Sequence, residues 1–404
     1  MKNYKIMGFK VSLAGLLFGF DTMVISGVDQ RLQELWNSSD LFHGSVIMSI
    51  ALWGTLIGAI VGSIPADRWG RKNTLISIGL LYLVSAIGSA LAQEPLTFAF
   101  FRFIGGLGVG ASTIAAPAYL AEVSPAKHRG KMVGLYQFSI VFGILLAVAS
   151  NFAILHWIGL SWRLMMGVEA LPAILFTLFM LKVPESPQWT ALKEQKKEKP
   201  NSIKLMTVLM PHKQLFLLAF WMAFFNQFSG INAVLYYAPR IFEIAGLNNS
   251  SAFLSTVGIG GVNLLFTLLG MYLIDRKGRK SLMKYGSFGY ILSLGLLAVA
   301  FKFHLSSELI VGLLFAFIAA HAIGQGVVIW VFLAEIFPTH LRSIGQSFGS
   351  SVHWALAAIV PSSIPFLFSA IGVAWVFALF AILMCFQLIW VYKWMPETKG
   401  KVLA

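Results

Sequence analysis

A charged hexapeptide, Asp67-Arg68-Trp69-Gly70-Arg71-Lys72, occurs twice in this chain. It returns as Asp275-Arg276-Lys277-Gly278-Arg279-Lys280, 208 positions later. Leu120-Ala121-Glu122-Val123-Ser124-Pro125 is answered by Leu333-Ala334-Glu335-Ile336-Phe337-Pro338, 213 positions on. Pro184-Glu185-Ser186-Pro187 is answered by Pro396-Glu397-Thr398-Lys399, 212 on. Three matches in one register make the chain one half of about 210 residues written twice. Any fold it adopts is therefore built from two equivalent halves.

The solvent for those halves is lipid. Of 404 residues, 58% are hydrophobic and 11% charged, and the mean hydropathy is +0.79. A water-soluble domain cannot hide that much apolar surface. We read twelve spans, at 6–28, 44–66, 73–92, 96–118, 131–154, 162–182, 214–238, 252–274, 281–303, 307–335, 343–368 and 371–394. Runs of this length read as helices, because in lipid every backbone amide needs a partner within its own segment. Duplicated membrane halves of this kind are a known plan for transporters.

The net charge of +14 raises the question of nucleic acid. The basic residues lie in short loops between apolar runs, and no soluble segment carries a basic face interleaved with aromatics, so we expect no nucleic-acid partner. Of 30 Lys and Arg, 25 fall on the side that holds the N-terminus. Arg31, Arg163, Arg240 and Lys302 fall on the other side, and Arg102 lies within a span. The positive-inside rule then makes both termini cytoplasmic. Lys2, Lys5 and Lys10 ahead of Val11 to Phe20 resemble a signal peptide, but Asp21 follows and no small-residue cleavage pattern does. The single cysteine, Cys385, excludes an internal disulfide and a cysteine-based zinc cluster. No His-x-x-x-His pair supports zinc-dependent intramembrane hydrolysis, and we expect neither an enzyme nor a metal site.

Ionisable residues inside spans are expensive and need a partner or a purpose. Asp21 in span 1 lies about seven residues from the outer end, ~10 Å deep at ~1.5 Å per residue. Arg102 in span 4 comes out at ~9 Å and Glu169 in span 6 at ~10 Å by the same rule. Three helices of one half thus place charge at one depth. Two readings follow: a fixed ion-pair cluster that holds helices together, or a proton-coupled switch centred on Asp21 and tuned by Arg102. The glycine run Gly105-Gly106-Leu107-Gly108-Val109-Gly110 resembles a nucleotide fingerprint, but it sits inside an apolar span, where small residues serve close helix packing.

Polar side chains in the second half are mostly amides. Span 7 holds Asn226, Gln227 and Asn232, then Tyr236, Tyr237 and Pro239. On a continuous helix Asn226 and Gln227 point to different sides, and Asn232 lies ~140° round from Gln227. Gly230 and Pro239 ease local breaks. An amide offers donors and an acceptor together, which suits a hydroxyl; interhelical hydrogen bonding is the plainer reading. Asn232 aligns with Asp21 across the repeat, 211 positions on. Asn263, Gln325 and Gln137 add amides, while Trp330, His353 and Trp354 add rings; an indole presents a flat apolar wall with one donor. Duplication of the loop acids and bases predicts charge contacts between helix ends, formed by Asp67, Arg71, Glu122, Arg129 and Glu185 in one half. Asp275, Arg279, Glu335, Arg342 and Glu397 are their counterparts. The common spacing of seven suggests Glu122 with Arg129 and Glu335 with Arg342. The stretch from Pro184 to Lys213, with Lys193, Lys196, Lys197 and Lys199, reads as a short cytoplasmic linker.

As an ordered set, DRWGRK and DRKGRK, RFIGGLGVG, YLAEVSPAKHRG, PESP, QFSGINAVLYYAP, GQG…W, LAEIFP and PETKG resemble the sugar porter family of the major facilitator superfamily. The resemblance covers essentially the whole chain. It implies an all-α membrane protein with twelve transmembrane helices in two pseudo-symmetric six-helix bundles, over 1–183 and 214–395. A short linker at 184–213 and a cytoplasmic tail at 396–404 complete it. It further implies alternating access, with a hexose or pentose held midway between the halves. Sugar-contact positions fall on Gln137, Gln227, Asn232, Asn263 and Trp330, more loosely on Asn226 and Trp354, and on His353 beside them. Tyr236 and Tyr237 match an outer gate. Asp21 matches the acid of proton-coupled bacterial members, and Arg102 and Glu169 match as well. The sequence departs from the pattern at Asn226, where a second glutamine is usual, at His353, where an amide precedes the Trp, at Val327 in place of proline, at Gln188 in place of arginine, and in its shorter linker. The resulting expectation is a proton:monosaccharide symporter of the bacterial inner membrane, acting as a monomer without a cofactor other than the proton. A passive uniporter is the nearest alternative, and a sensor that binds sugar without moving it is a more distant one.

Overall fold

The computed structural model describes residues 4–125, 128–194, 211–338 and 341–400. Among them the chain is helical and contains no strand. Twelve helical stretches among the described residues are long and apolar enough to cross a membrane. Spans 1 to 6 are Tyr4–Gly27, Asp40–Arg68, Arg71–Leu91, Pro95–Val123, Lys131–Trp157 and Trp162–Leu181. Spans 7 to 12 are Lys213–Tyr236, Asn249–Lys277, Arg279–Lys302, Ser307–Glu335, Ile344–Ala370 and Val373–Lys393.

Several spans are interrupted where polar residues cluster. Span 1 ends in a tight 3-10 turn, Ile25–Gly27. Span 6 changes course between Trp162–Gly167 and Ala170–Leu181, with Glu169 at the joint. Span 10 contains a wider π turn, Ala322–Gly326. In span 7 the helix Lys213–Phe228 stops, Gly230 takes a left-handed conformation at φ +84°, and Ile231–Tyr236 resumes. Only glycine adopts that geometry without steric cost. A second break at Tyr237 precedes Ala238–Ile244, so span 7 ends before the 238 read from hydropathy.

The chain divides into two compact units, Met1–Asn201 and Ser202–Ala404. In the first, span 1 packs on span 5, span 2 on span 4, and span 3 on spans 4 and 6. In the second, span 7 packs on span 11, span 8 on span 10, and span 9 on spans 10 and 12. The repeat in the sequence is thus a repeat of packing partners. Spans 2 and 4 approach so closely that a Cβ on Gly106 would lie 1.9 Å from the Ala51 carbonyl oxygen, and one on Gly110 2.2 Å from that of Thr55. The span 4 glycines serve close packing, as their place in an apolar run requires. After span 6, Pro187–Glu194 forms a short helix. Lys196, Lys197 and Lys199 of the linker lie outside the described residues.

Candidate functional site

In the first unit Asp21, Arg102 and Glu169 are all buried, none more than 1% exposed. Arg102 Nη1 donates to Asp21 Oδ1 at 2.5 Å, and Nη2 donates to the Asp21 backbone oxygen at 2.9 Å. That carbonyl is available because the α-helix ends three residues later, at Val24, leaving its last carbonyls without intrahelical donors. Glu169 lies within range of both charges and its carboxyl group meets that of Asp21, a contact two acids make only with a proton between them; no donor from another residue reaches either of its oxygens. Two buried acids therefore share one buried base. Ser85 borders the group: a Cβ on Gly105 would sit 2.4 Å from its hydroxyl and 3.0 Å from Asp21 Oδ1.

In the second unit the break at Gly230 changes the geometry read from periodicity. Asn232 is not turned away from Gln227; its Nδ2 donates to Gln227 Oε1 at 2.7 Å. Asn226 and Gln227 both precede the break, on one helix, and their side chains still meet: Gln227 Nε2 donates to Asn226 Oδ1 at 3.0 Å. The left-handed residue ends one helix and reorients the next, so the ~100° per residue rule does not carry across it. Gln227 Nε2 also lies 3.2 Å from both ring nitrogens of His353. The His353 ring stands 4.8 Å from that of Trp330 and 5.0 Å from that of Trp354. Trp330 keeps 36% of its surface exposed, whereas Trp354 is buried. The result is a hydrogen-bonded amide and imidazole cluster against indole rings, rich in donors and acceptors. Asn263 is not part of it; its Oδ1 accepts from Thr267 at 3.5 Å on its own helix. Tyr236 and Tyr237 are buried, and the Tyr237 hydroxyl donates to the Pro361 carbonyl at 3.0 Å. Gln137, half-buried, belongs to the first unit.

In the second unit the loop charges pair differently from the expected spacing of seven, and the expected partner of Glu122, Arg129, has its side chain outside the described residues. Arg71 bridges Asp67 at 2.9 Å and Glu122 at 3.0 Å. Arg279 bridges Asp275 at 3.2 Å and Glu335 at 2.7 Å. Arg342 is exposed and forms no ion pair among the described residues. The acids turn to Arg71 and Arg279 because spans 3 and 9 begin beside the ends of spans 4 and 10, a tertiary relation that spacing does not contain. Glu185 accepts from the Lys72 backbone N–H at 3.0 Å. Glu397 accepts from the backbone of Arg279 at 2.9 Å and of Lys280 at 3.0 Å. Each carboxylate thereby caps a helix start, where free N–H groups and the helix dipole favour negative charge. Burial pushes the Glu397 carboxyl up, but backbone N–H groups of Lys399, Arg279, Lys280 and Thr398 outweigh it and hold it below the ordinary 4.5. Gly70 and Gly278 make room: at φ +98° and +87°, a Cβ would come within 2.1 Å of Glu185 Oε2 and 2.5 Å of Glu397 Oε2.

Three sets of contacts are not evident from the sequence, in which Gln325 alone of the third set stands out, as an amide within a span. Ser186 donates to Glu122 and Thr398 to Glu335 (the latter at 2.6 Å), so each unit ties its acid to a hydroxyl. The repeat of Pro-Glu-Ser as Pro-Glu-Thr already held that signal. His43 Nε2 lies 2.7 Å from Asp29 Oδ1, both buried, joining residues that no pattern connects. A polar chain through Ser287, Tyr290, His321, Gln325 and Gln387 occupies the second unit, assembled from three spans.

Twelve spans, two units built to one packing plan, and polar clusters sealed within those spans define a multi-pass membrane transporter of the major facilitator type. The family model described as "Sugar (and other) transporter" matches residues 7–208 and 194–404. The arabinose-proton symporter of Bacillus subtilis is 32% identical, with 98% of this chain and 94% of that protein covered. The D-xylose-proton symporter of Escherichia coli is 31% identical, with 97% and 92% covered. A solved structure of the E. coli xylose transporter, in a partially occluded inward-open conformation, aligns with a TM-score of 0.85 at 30% identity, covering 99% of this chain and all of that one. The chain belongs to the sugar porter family of the major facilitator superfamily.

Proposed function

We propose that this chain imports a monosaccharide, a hexose or pentose, across the bacterial inner membrane by alternating access, with a proton carried on Asp21. Family membership supports sugar as cargo, and the names of the arabinose and xylose relatives support a proton as its companion. The observation that carries the proton reading is the sealed pair of Asp21 and Arg102 with the Glu169 carboxyl against Asp21 and no base of its own. Two acids and one base leave one uncompensated negative charge when all are ionised. In an apolar core that charge is costly, and a bound proton removes it. A proton on Asp21 weakens its hold on Arg102 and favours closure around the cargo. Cargo and proton act only through their different affinities for the two facings.

In this reading Gln227, Asn232, Asn226, His353, Trp330 and Trp354 hold the sugar, with Asn263 and Gln137 completing the set. Amides and imidazole meet hydroxyls, and an indole lies under the apolar face of the ring. Tyr236 and Tyr237 form the outer gate. The bundles at 1–183 and 214–395 are the moving bodies, and the loop charges at Asp67, Arg71, Glu122, Arg129 and Glu185, with their counterparts, brace the cytoplasmic ends. The protein works as a monomer with both termini in the cytoplasm and has no nucleic-acid partner. Sugar uptake into proteoliposomes, with and without an imposed pH gradient, tests the proposal. Acceleration by an inward proton gradient, lost in Asp21→Asn, is expected. Uptake indifferent to the gradient in the wild type rejects symport and leaves a uniporter.

A further inference from the structure

The transport reading leaves unused a chain of five polar side chains in the second unit. Ser287 and Tyr290 come from span 9, His321 and Gln325 from span 10, and Gln387 from span 12, all buried. One fixed point sets the direction of the chain. The Met283 backbone carbonyl can only accept, and Ser287 Oγ lies 2.7 Å from it. The single hydroxyl hydrogen of Ser287 is committed there, so Ser287 accepts from the Gln387 amide nitrogen at 2.9 Å. The Gln387 oxygen then faces Gln325 and accepts from its Nε2. This leaves the Gln325 oxygen facing Tyr290, whose hydroxyl donates to it over 3.2 Å. With that hydrogen committed, the Tyr290 oxygen accepts from His321 Nδ1, 3.0 Å away. Each link follows from the last, and the neutral imidazole at the head of the chain carries its hydrogen on Nδ1, leaving Nε2 a bare acceptor.

Nε2 of His321 makes no hydrogen bond among the described residues. It stands over Gly326, where a Cβ would lie 3.6 Å away, one helical turn ahead of Trp330. His353 of the amide cluster is within electrostatic range. A network built only to hold helices has no need of an unused acceptor at one end. An open acceptor at that position is one that a hydroxyl on a ligand can fill.

We infer that His321 is a further substrate-contacting residue: its Nε2 accepts a hydrogen bond from one sugar hydroxyl, and Tyr290, Gln325, Gln387 and Ser287 are positioning residues that hold the ring in that tautomer. The inference rests on the sugar-transport reading. It has a chemical signature, because an acceptor needs a donor hydroxyl opposite. Replacing that hydroxyl by hydrogen or by fluorine removes the donor equally, whereas a protein donor would still find an acceptor in fluorine.

The test is binding of D-xylose, D-glucose and their monodeoxy and monofluoro analogues to the full chain. At one ring position the wild type should bind both analogues about tenfold more weakly than the parent sugar. In His321→Phe the parent should fall to the level of the analogues, so that their ratio approaches one at that position and is unchanged elsewhere. Tyr290→Phe and Gln387→Met keep the packing volume and release the tautomer. Both should reduce the same ratio and no other, a pattern that general destabilisation does not produce. A ratio unaltered in His321→Phe, or in Tyr290→Phe where the first variant does not fold, overturns the inference and leaves sugar transport standing. A fluoro analogue that binds like the parent at every position overturns it too. Failure of every probe to bind the wild type removes the transport reading, and this inference with it.

Discussion

At their loop ends the two units are near copies; within their spans they are not. Arg71 bridges Asp67 and Glu122 as Arg279 bridges Asp275 and Glu335. Glu185 and Glu397 cap equivalent helix starts, and Ser186 and Thr398 donate to equivalent acids. Inside the spans, repeat-equivalent Asp21 and Asn232 have opposite surroundings. The first is sealed against a guanidinium, and the second is hydrogen-bonded to another amide. The difference teaches where duplication is constrained. Bracing helix ends is the same task in both halves, so the same residues persist. In the proposed cycle one middle handles a proton and the other handles hydroxyls, which require different chemistry.

Removing charge should therefore hurt one middle far more than removing an amide hurts the other. Arg102→Met leaves two buried acids without a base and should destabilise the protein by about 3–5 kcal/mol. Asn232→Ala should cost about 1 kcal/mol. Comparable losses in thermal or denaturant unfolding would erase the distinction. Next in size, Gln227→Ala removes the amide that joins Asn226, Asn232 and His353, and should weaken sugar binding roughly 10- to 100-fold. Gradient stimulation of the residual uptake should survive, because the proton site is untouched; its loss would mean the two middles do not have separate duties.

The loop ends offer the reverse test, since there the units should respond alike. Gly70→Ala and Gly278→Ala each force a Cβ against a carboxylate at positive φ and should cost roughly 1–2 kcal/mol apiece. A large loss at one and none at the other would break the equivalence. The smallest effect expected is the pH dependence of Glu397. Its folded-state affinity for protons is depressed, so its contribution to stability is complete above the free-glutamate value of 4.5 and lost as pH falls through the lower folded value. Melting temperatures of wild type and Glu397→Gln should converge as pH drops below 4.5. Curves that stay parallel would contradict the capping role.

Features carried by repeats and runs were legible in the sequence. The twelve spans follow from apolar length, the two-unit plan from the 208–213 residue register, and the common depth of Asp21 and Arg102 from counting along helices. What escaped depends on neighbours distant in sequence or on broken periodicity. Asn232 meets Gln227 only because Gly230 turns left-handed between them. Glu335 pairs with Arg279 and not with Arg342, seven places on, because spans 9 and 10 pack together. The chain from Ser287 to His321 draws on three helices, each contributing one or two polar residues that look isolated when read alone.

The most direct test of the proton claim is to record pH in lightly buffered medium around de-energised proteoliposomes while sugar is added. The account predicts an alkaline transient as protons enter with sugar. It also predicts no transient in Asp21→Asn, although that variant still exchanges labelled sugar across the membrane. Sugar entry without proton movement in the wild type, or an undiminished transient in Asp21→Asn, would contradict it.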